Sequence, residues 1–202
     1  MATRGVVPVH PFGIPAPMAA LEALAADRDL WMVEDAACAL GSGRTDADGL
    51  RWGSGESPSC FSFHPRKVIT TGEGGAIATN DEALAARLRV LRSHGMESGD
   101  GRWPTFVAAG FNYRMTDLAA AIGEIQVERL EHIVTERRRV VALYRDALDG
   151  LEAIRWPGGY ERGDLSMQSL VVVLEEGVDR DEVIATLGAA DIGSTLGGYC
   201  LA

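Results

Sequence analysis

A short apolar run, a helical repeat and a second apolar run, all within residues 6–35, leave this chain one economical way to begin folding. Residues 6–10 (VVPVH) read as a buried strand, ended by the turn PFGIPAP with its three prolines and a glycine. Residues 18–26 (MAALEALAA) carry apolar side chains at helical spacing, and residues 30–33 (LWMV) form the next strand. Strand, helix and strand at these lengths close as a parallel pair with a right-handed crossover. In such sheets ligands gather at the carboxyl ends of strands, which is where Asp35 falls. The fold class is therefore α/β, with a mainly parallel sheet flanked by helices.

The second constraint is residues 61–75, FSFHPRKVITTGEGG. This segment opens as an alternating strand end (Cys60, Phe61, Ser62, Phe63), delivers Lys67, and breaks into a glycine-rich turn that lets a ligand come close to the backbone. A lysine taken at random is a solvated surface residue, and an aspartate standing alone is a cap or loop residue. A lysine at one strand end and a carboxylate at another are together what pyridoxal phosphate (PLP) chemistry requires. The aldehyde needs an amine to form a Schiff base, and the pyridine nitrogen needs an acid to keep it protonated. Asp35 is then the partner of that nitrogen. Cations near a Schiff-base lysine favour its neutral form, and Arg66 is the adjacent candidate.

Composition narrows the partners. A net charge of -10 repels a nucleic-acid backbone, yet a small phosphorylated ligand needs only a local pocket of donors. Three widely spaced cysteines (Cys38, Cys60, Cys200) make neither a disulfide framework nor a metal motif, so a reducing, cytoplasmic setting is expected. No signal-peptide core and no membrane-spanning run are visible, and no membrane partner is expected.

Further along, residues 41–59 are a polar, glycine-rich loop of the kind that frames a site. Residues 76–79 read as a strand, and Asn80 or Asp81 caps a helix running to His94. Residues 97–109 form a second polar loop carrying Trp103. Residues 116–148 read as one helical stretch with an apolar stripe of Leu118, Ile122, Ile125, Leu130, Ile133, Tyr144 and Leu148, and residues 136–139 as its solvated face. Past Gly150 come a linker-like turn (Trp156-Pro-Gly-Gly), a strand at 170–174 and a capped helix at 179–188. The expected organisation is a PLP-binding large domain over 1–150 and the beginning of a small domain over 151–202.

The segments VPVHPFG, VEDAACALGS, CFSFHPRKVITTGEGGAIATND, LRSHG and GFNYRMTDLAAAIGEIQVERL together resemble the DegT/DnrJ/EryC1/StrS family of PLP-dependent sugar aminotransferases, of fold-type I. The resemblance covers about Arg4 to Tyr199. It implies that Lys67 is the Schiff-base lysine, Asp35 the pyridinium partner and Ser62 a phosphate-binding serine. Asn112 matches an asparagine that reaches the PLP phosphate of the other subunit, which implies a homodimer with shared active sites. Cys38 stands where many members carry a glutamine that contacts the ring hydroxyl; a thiol is a weaker donor. His64 matches a position of aromatic or histidine packing residues and His10 receives no role, while Trp103 and Arg114 are open between meeting substrate and a solvated loop or salt bridge. The implied reaction moves an amino group from an amino-acid donor, glutamate, to a nucleotide-linked keto-sugar. The resemblance also implies an N-terminal phosphate-gripping turn and ring-stacking aromatic that this chain lacks, and a fuller small domain. The chain is thus expected to be the middle of a longer protein, poorly soluble and inactive by itself. The competing readings are a catalytically inactive PLP-fold remnant or regulator, and a doubly wound nucleotide-binding module. The second lacks a GxGxxG after the first strand.

Overall fold

The structure is a computed structural model describing residues 2–43, 57–97 and 103–197. Most of the polar loop at 41–59, and Cys200, lie outside the described residues.

Strand β1 (Gly5–Val6) leads through a proline turn into helix α1 (Met18–Asp27), which returns the chain to β2 (Trp31–Met32). β1 and β2 pair in parallel, Gly5 opposite Trp31 and Val6 opposite Met32. The pairing runs on into β3 (Glu34–Asp35), where the Asp35 N–H donates to the Pro8 carbonyl (2.8 Å) and the His10 N–H to the Asp35 carbonyl (3.1 Å). On its other edge β3 pairs in parallel with β4 (Ser59–Ser62), which in turn pairs antiparallel with β5 (Gly75–Ala78). The strand–helix–strand unit read from the sequence is present, and Asp35 is flanked by strands on both sides. Along residues 6–10 the burial alternates: Pro8 and His10 are buried, while Val7 and Val9 are half-exposed. The strand buries one face where the sequence suggested two.

Helix α2 (Glu82–Leu91) begins at Asp81, whose carboxylate accepts from the Leu84 N–H at 2.9 Å, as an N-cap should. It ends three residues short of His94, because His94 (φ 60°) and Gly95 (φ 74°) turn the backbone into the left-handed region. A Cβ on Gly95 would lie 1.8 Å from the Ala108 carbonyl oxygen, so only glycine fits. The short hairpin of β6 (Met96–Glu97) and β7 (Thr105–Phe106) follows.

The stretch at 116–148 is two helices rather than one: α3 (Asp117–Glu128), capped by Thr116, and α4 (Leu130–Ala147). They meet at Arg129, whose φ −89° and ψ −3° fall in the bridge region; neither glycine nor proline marks the break. The apolar stripe is also divided. Leu130 and Ile133 pack with buried Val68, Ile69 and Val134, whereas Leu118, Ile122 and Ile125 lie exposed. The charged cluster at 136–139 is only half solvated. Arg137 donates to the Met167 and Gln168 carbonyls, and Arg138 to the Leu165 carbonyl at 2.7 Å.

Beyond α4, β8 (Ile154–Arg155) pairs antiparallel with β9 (Val173–Leu174), and α5 (Arg180–Ala189) starts at the Asp179 cap. The turn at 156–160 is packed rather than linker-like. Tyr160 and Leu165 are fully buried and join Met167 and Val141 in a cluster with Trp156 and Ile14. Aromatic area of this size is driven out of water wherever a partner surface exists, and α4 supplies one.

Candidate functional site

Asp35 is the last residue of β3, lying opposite Cys60 of β4. Its Oδ1 accepts from the Ala37 N–H at 3.1 Å, which turns the chain sharply into residues 36–43. Ala36 and Ala39 are fully buried, so this turn is fixed from beneath. It presents Cys38.

Lys67 arrives from the next strand. β4 ends at Ser62, and the loop after it is tied to itself. The Phe63 N–H donates to the Gly74 carbonyl, the Thr71 N–H and Thr70 hydroxyl to the Phe63 carbonyl, and the Lys67 N–H to the His64 carbonyl. Immediately after Lys67, Val68 and Ile69 are buried against Val134 of α4. The lysine is therefore anchored by its neighbours while its own side chain stays only half-buried. Its Nζ donates to Cys38 Sγ at 3.1 Å. An amine thus lies at the end of one parallel strand, with a carboxylate at the end of the adjoining one and a thiol between their loops.

The electrostatics agree with this arrangement. The Cys60 thiol is pushed above the ordinary cysteine range, first by burial and then by the negative charge of Asp35 beside it. Among the described residues no group of three or more histidines, cysteines and carboxylates could hold a metal ion, and no helix is long and apolar enough to cross a membrane.

The remaining expected residues are distributed as follows. Ser62 sits at the β4 end, its Oγ accepting from the His64 N–H at 3.3 Å with its own proton still to give. Asn112 is exposed and backbone-paired with Ser93; no hydrogen bond joins it to Lys67, Asp35, Cys38 or Ser62 within the chain. Arg66 is exposed, and its carbonyl accepts from the Gln168 side chain at 2.9 Å. His64 accepts the Arg66 N–H at Nδ1, and Arg114 donates to the Ser93 hydroxyl, while Trp103 is three-quarters exposed.

Two features escaped the sequence reading. His10, without a role there, is fully buried with its Nε2 3.2 Å from Oε2 of equally buried Glu34. The signal for it was Glu34 itself, one residue before Asp35 and so on the opposite face of the strand. The second is a link between Ser42 and Ser166, whose hydroxyls lie 3.0 Å apart while the Ser166 N–H donates to Ser42 Oγ at 2.9 Å. Nothing in the sequence marks a contact at that separation.

Strand-end lysine, strand-end carboxylate and parallel α/β sheet define a chain of the PLP-transferase class of fold. More particularly, residues 1–197 match the DegT/DnrJ/EryC1/StrS aminotransferase family, and the chain belongs to it. It is 40% identical over 195 residues to GDP-perosamine synthase of Caulobacter vibrioides, a match covering 95% of this chain and 51% of that protein. Among solved structures, DesV of S. venezuelae superimposes with a TM-score of 0.83 at 35% identity, covering 96% of this chain and 50% of that one. Helicobacter pylori PseC, an aminotransferase of pseudoaminic acid biosynthesis, gives a TM-score of 0.90 over 98% of this chain and 53% of that one; at 23% identity the likeness is one of fold. The chain spans about half the length of the curated relatives it matches.

Proposed function

We propose that this chain carries the lysine half of a PLP-dependent aminotransferase site that moves an amino group from an amino acid, glutamate, to a nucleotide-linked keto-sugar. The observation that carries the reading is the Lys67 amine, set 3.1 Å from Cys38 Sγ at the end of a strand adjoining the one that ends in Asp35. The donor set fits the cofactor: an amine for its aldehyde, a carboxylate for its ring nitrogen, a thiol in reach of the amine, and the Ser62 hydroxyl with a proton to give to its phosphate. When bound, the cofactor serves as the electron sink for the substrate's α-carbon.

In this reading Lys67 would hold the cofactor through its amine. The same Nζ would be the base that moves a proton at the substrate's α-carbon. Asp35 would face the ring nitrogen and favour its protonated form. The sugar-nucleotide class is supported by the family and by the name of GDP-perosamine synthase.

The reading includes a homodimer in which Asn112 serves the partner's site. The exposed apolar side chains of Phe111, Tyr113, Leu118, Ile122 and Ile125 lie on the same stretch as Asn112 and give a second copy something to cover. It also includes a large domain over 1–150 joined to a small domain beginning at 151, and a cytoplasmic setting, in keeping with free Cys38 and Cys60.

The test is borohydride reduction of the PLP-loaded protein followed by peptide mapping. The pyridoxyl group is expected on the peptide containing Lys67. Lys67 is the only lysine of the sequence, so absence of label, or label confined to the N-terminal amine, would remove the reading.

A further inference from the structure

We propose that the buried His10–Glu34 pair is a positioning device for Asp35, cross-linking the first strand to β3 so that the Asp35 carboxylate keeps one orientation at the strand end. What Asp35 is positioned for rests on the reading above; the clamp itself does not.

Backbone bonds hold β3 on both edges, to the first strand and to β4, but they fix the level of its residues and not the direction of the Asp35 side chain. β3 is a two-residue strand, separated from two-residue β2 by Val33. The first strand meets it through backbone bonds at the same level as the side-chain contact: the His10 N–H donates to the Asp35 carbonyl, and the Asp35 N–H to the Pro8 carbonyl. His10 and Glu34 thus flank Asp35, one across the ladder and one before it in sequence.

Successive strand residues point to opposite faces, so Glu34 braces the strand from beneath while Asp35 faces the site. The histidine ring is oriented as well. Its Nδ1 accepts the Ala16 N–H at 3.0 Å, which leaves Nε2 as the donor toward Glu34 Oε2 at 3.2 Å. One ring therefore joins three segments: the proline turn, the first strand and β3.

Stability alone gives a poor account of such a pair. Both side chains are 0% exposed, and polar groups taken out of water return their desolvation cost only through good geometry. Two apolar residues would fill the same space without that cost. What the polar contact adds is direction, because it is satisfied in one register and lost in others.

Cys60 supplies a reporter that needs no cofactor. It lies opposite Asp35, and the Asp35 charge is one of the two causes that keep its thiol protonated. Asp35→Asn should therefore accelerate alkylation of Cys60 by iodoacetamide at neutral pH, read at that peptide by mass spectrometry. The size of this acceleration measures how closely the carboxylate is held to the thiol. His10→Asn keeps an acceptor for the Ala16 N–H but is too short to reach Glu34, while His10→Gln is long enough to reach it.

In the His10→Asn background the acceleration from Asp35→Asn should fall to about half or less of its wild-type size. In the His10→Gln background it should return. Glu34→Met, which removes the acceptor at similar shape, repeats the test from the other strand. An undiminished Asp35→Asn effect in folded His10→Asn and Glu34→Met proteins overturns the proposal. So does failure of both variants to fold, since the pair would then be a stability element and nothing more. Failure of pyridoxyl labelling at Lys67 would leave the alkylation result standing, so the two readings fail separately.

Discussion

Removing the Tyr160 side chain should detach the segment that braces the site loop from α4. Tyr160 is fully buried, and its ring lies parallel to that of Trp156, centroids 5.8 Å apart and planes 4° from parallel. The Arg145 guanidinium sits over both rings, 5.2 Å from one and 5.6 Å from the other, and its NH2 group donates to the Tyr160 carbonyl. The Tyr160 hydroxyl donates to the Ser169 carbonyl. Truncating a buried aromatic to alanine costs about 3–5 kcal/mol, and the stacked pair adds about 0.5–1.5 kcal/mol beyond its buried area. Tyr160→Phe removes only the hydroxyl and leaves the carbonyl of half-buried Ser169 without that donor, about 1–2 kcal/mol. Urea unfolding of the two variants, compared at an unchanged slope, separates packing from hydrogen bonding.

The same residue has a pH signature. Burial raises the Tyr160 phenol above its ordinary range, opposed in part by the Val171 backbone and the Arg145 charge. The fold thus favours the protonated phenol. Its contribution is complete below the ordinary tyrosine range and is lost as pH rises through the raised value. Wild-type stability should accordingly fall more steeply at alkaline pH than that of Tyr160→Phe. A Tyr160→Ala cost under about 1 kcal/mol, or identical alkaline profiles, would show that residues 156–167 are not part of the core.

Asp35→Asn in the PLP-loaded protein should lower the transamination rate on the order of 10²-fold or more, because the ring nitrogen loses its charged partner; near-normal turnover would assign that role elsewhere. Mixing inactive Lys67→Ala and Asn112→Ala proteins should restore some activity, since a mixed dimer holds one site spared by both changes. Continued inactivity with demonstrated subunit exchange would refute the shared site. Gly95→Ala should destabilise by more than the 1 kcal/mol or so that glycine usually differs from alanine, because a methyl group there meets the Ala108 carbonyl and the backbone is left-handed; thermal denaturation measures it.

The local elements of this protein were decided by its sequence. The first helix was read to within a residue, and the Asp81 and Asp179 caps begin helices where a side-chain oxygen meets the first free N–H groups. Asp35 and the segment bearing Lys67 fall at strand ends because apolar runs stop there. Family membership was legible for the same reason, since it lives in contiguous wording. What the tertiary structure decided is which faces meet. Periodicity finds an apolar stripe on α3 but does not say whether anything within the chain covers it; Leu118 is left 82% exposed. Charge suggests solvent at 136–139, yet Arg137 and Arg138 turn inward because the 165–168 carbonyls stand within their reach. The Lys67–Cys38 contact, the His10–Glu34 clamp and the Ser42–Ser166 link join residues 29, 24 and 124 positions apart. Contacts of that kind depend on how strands order and where loops end, which only the closed chain fixes.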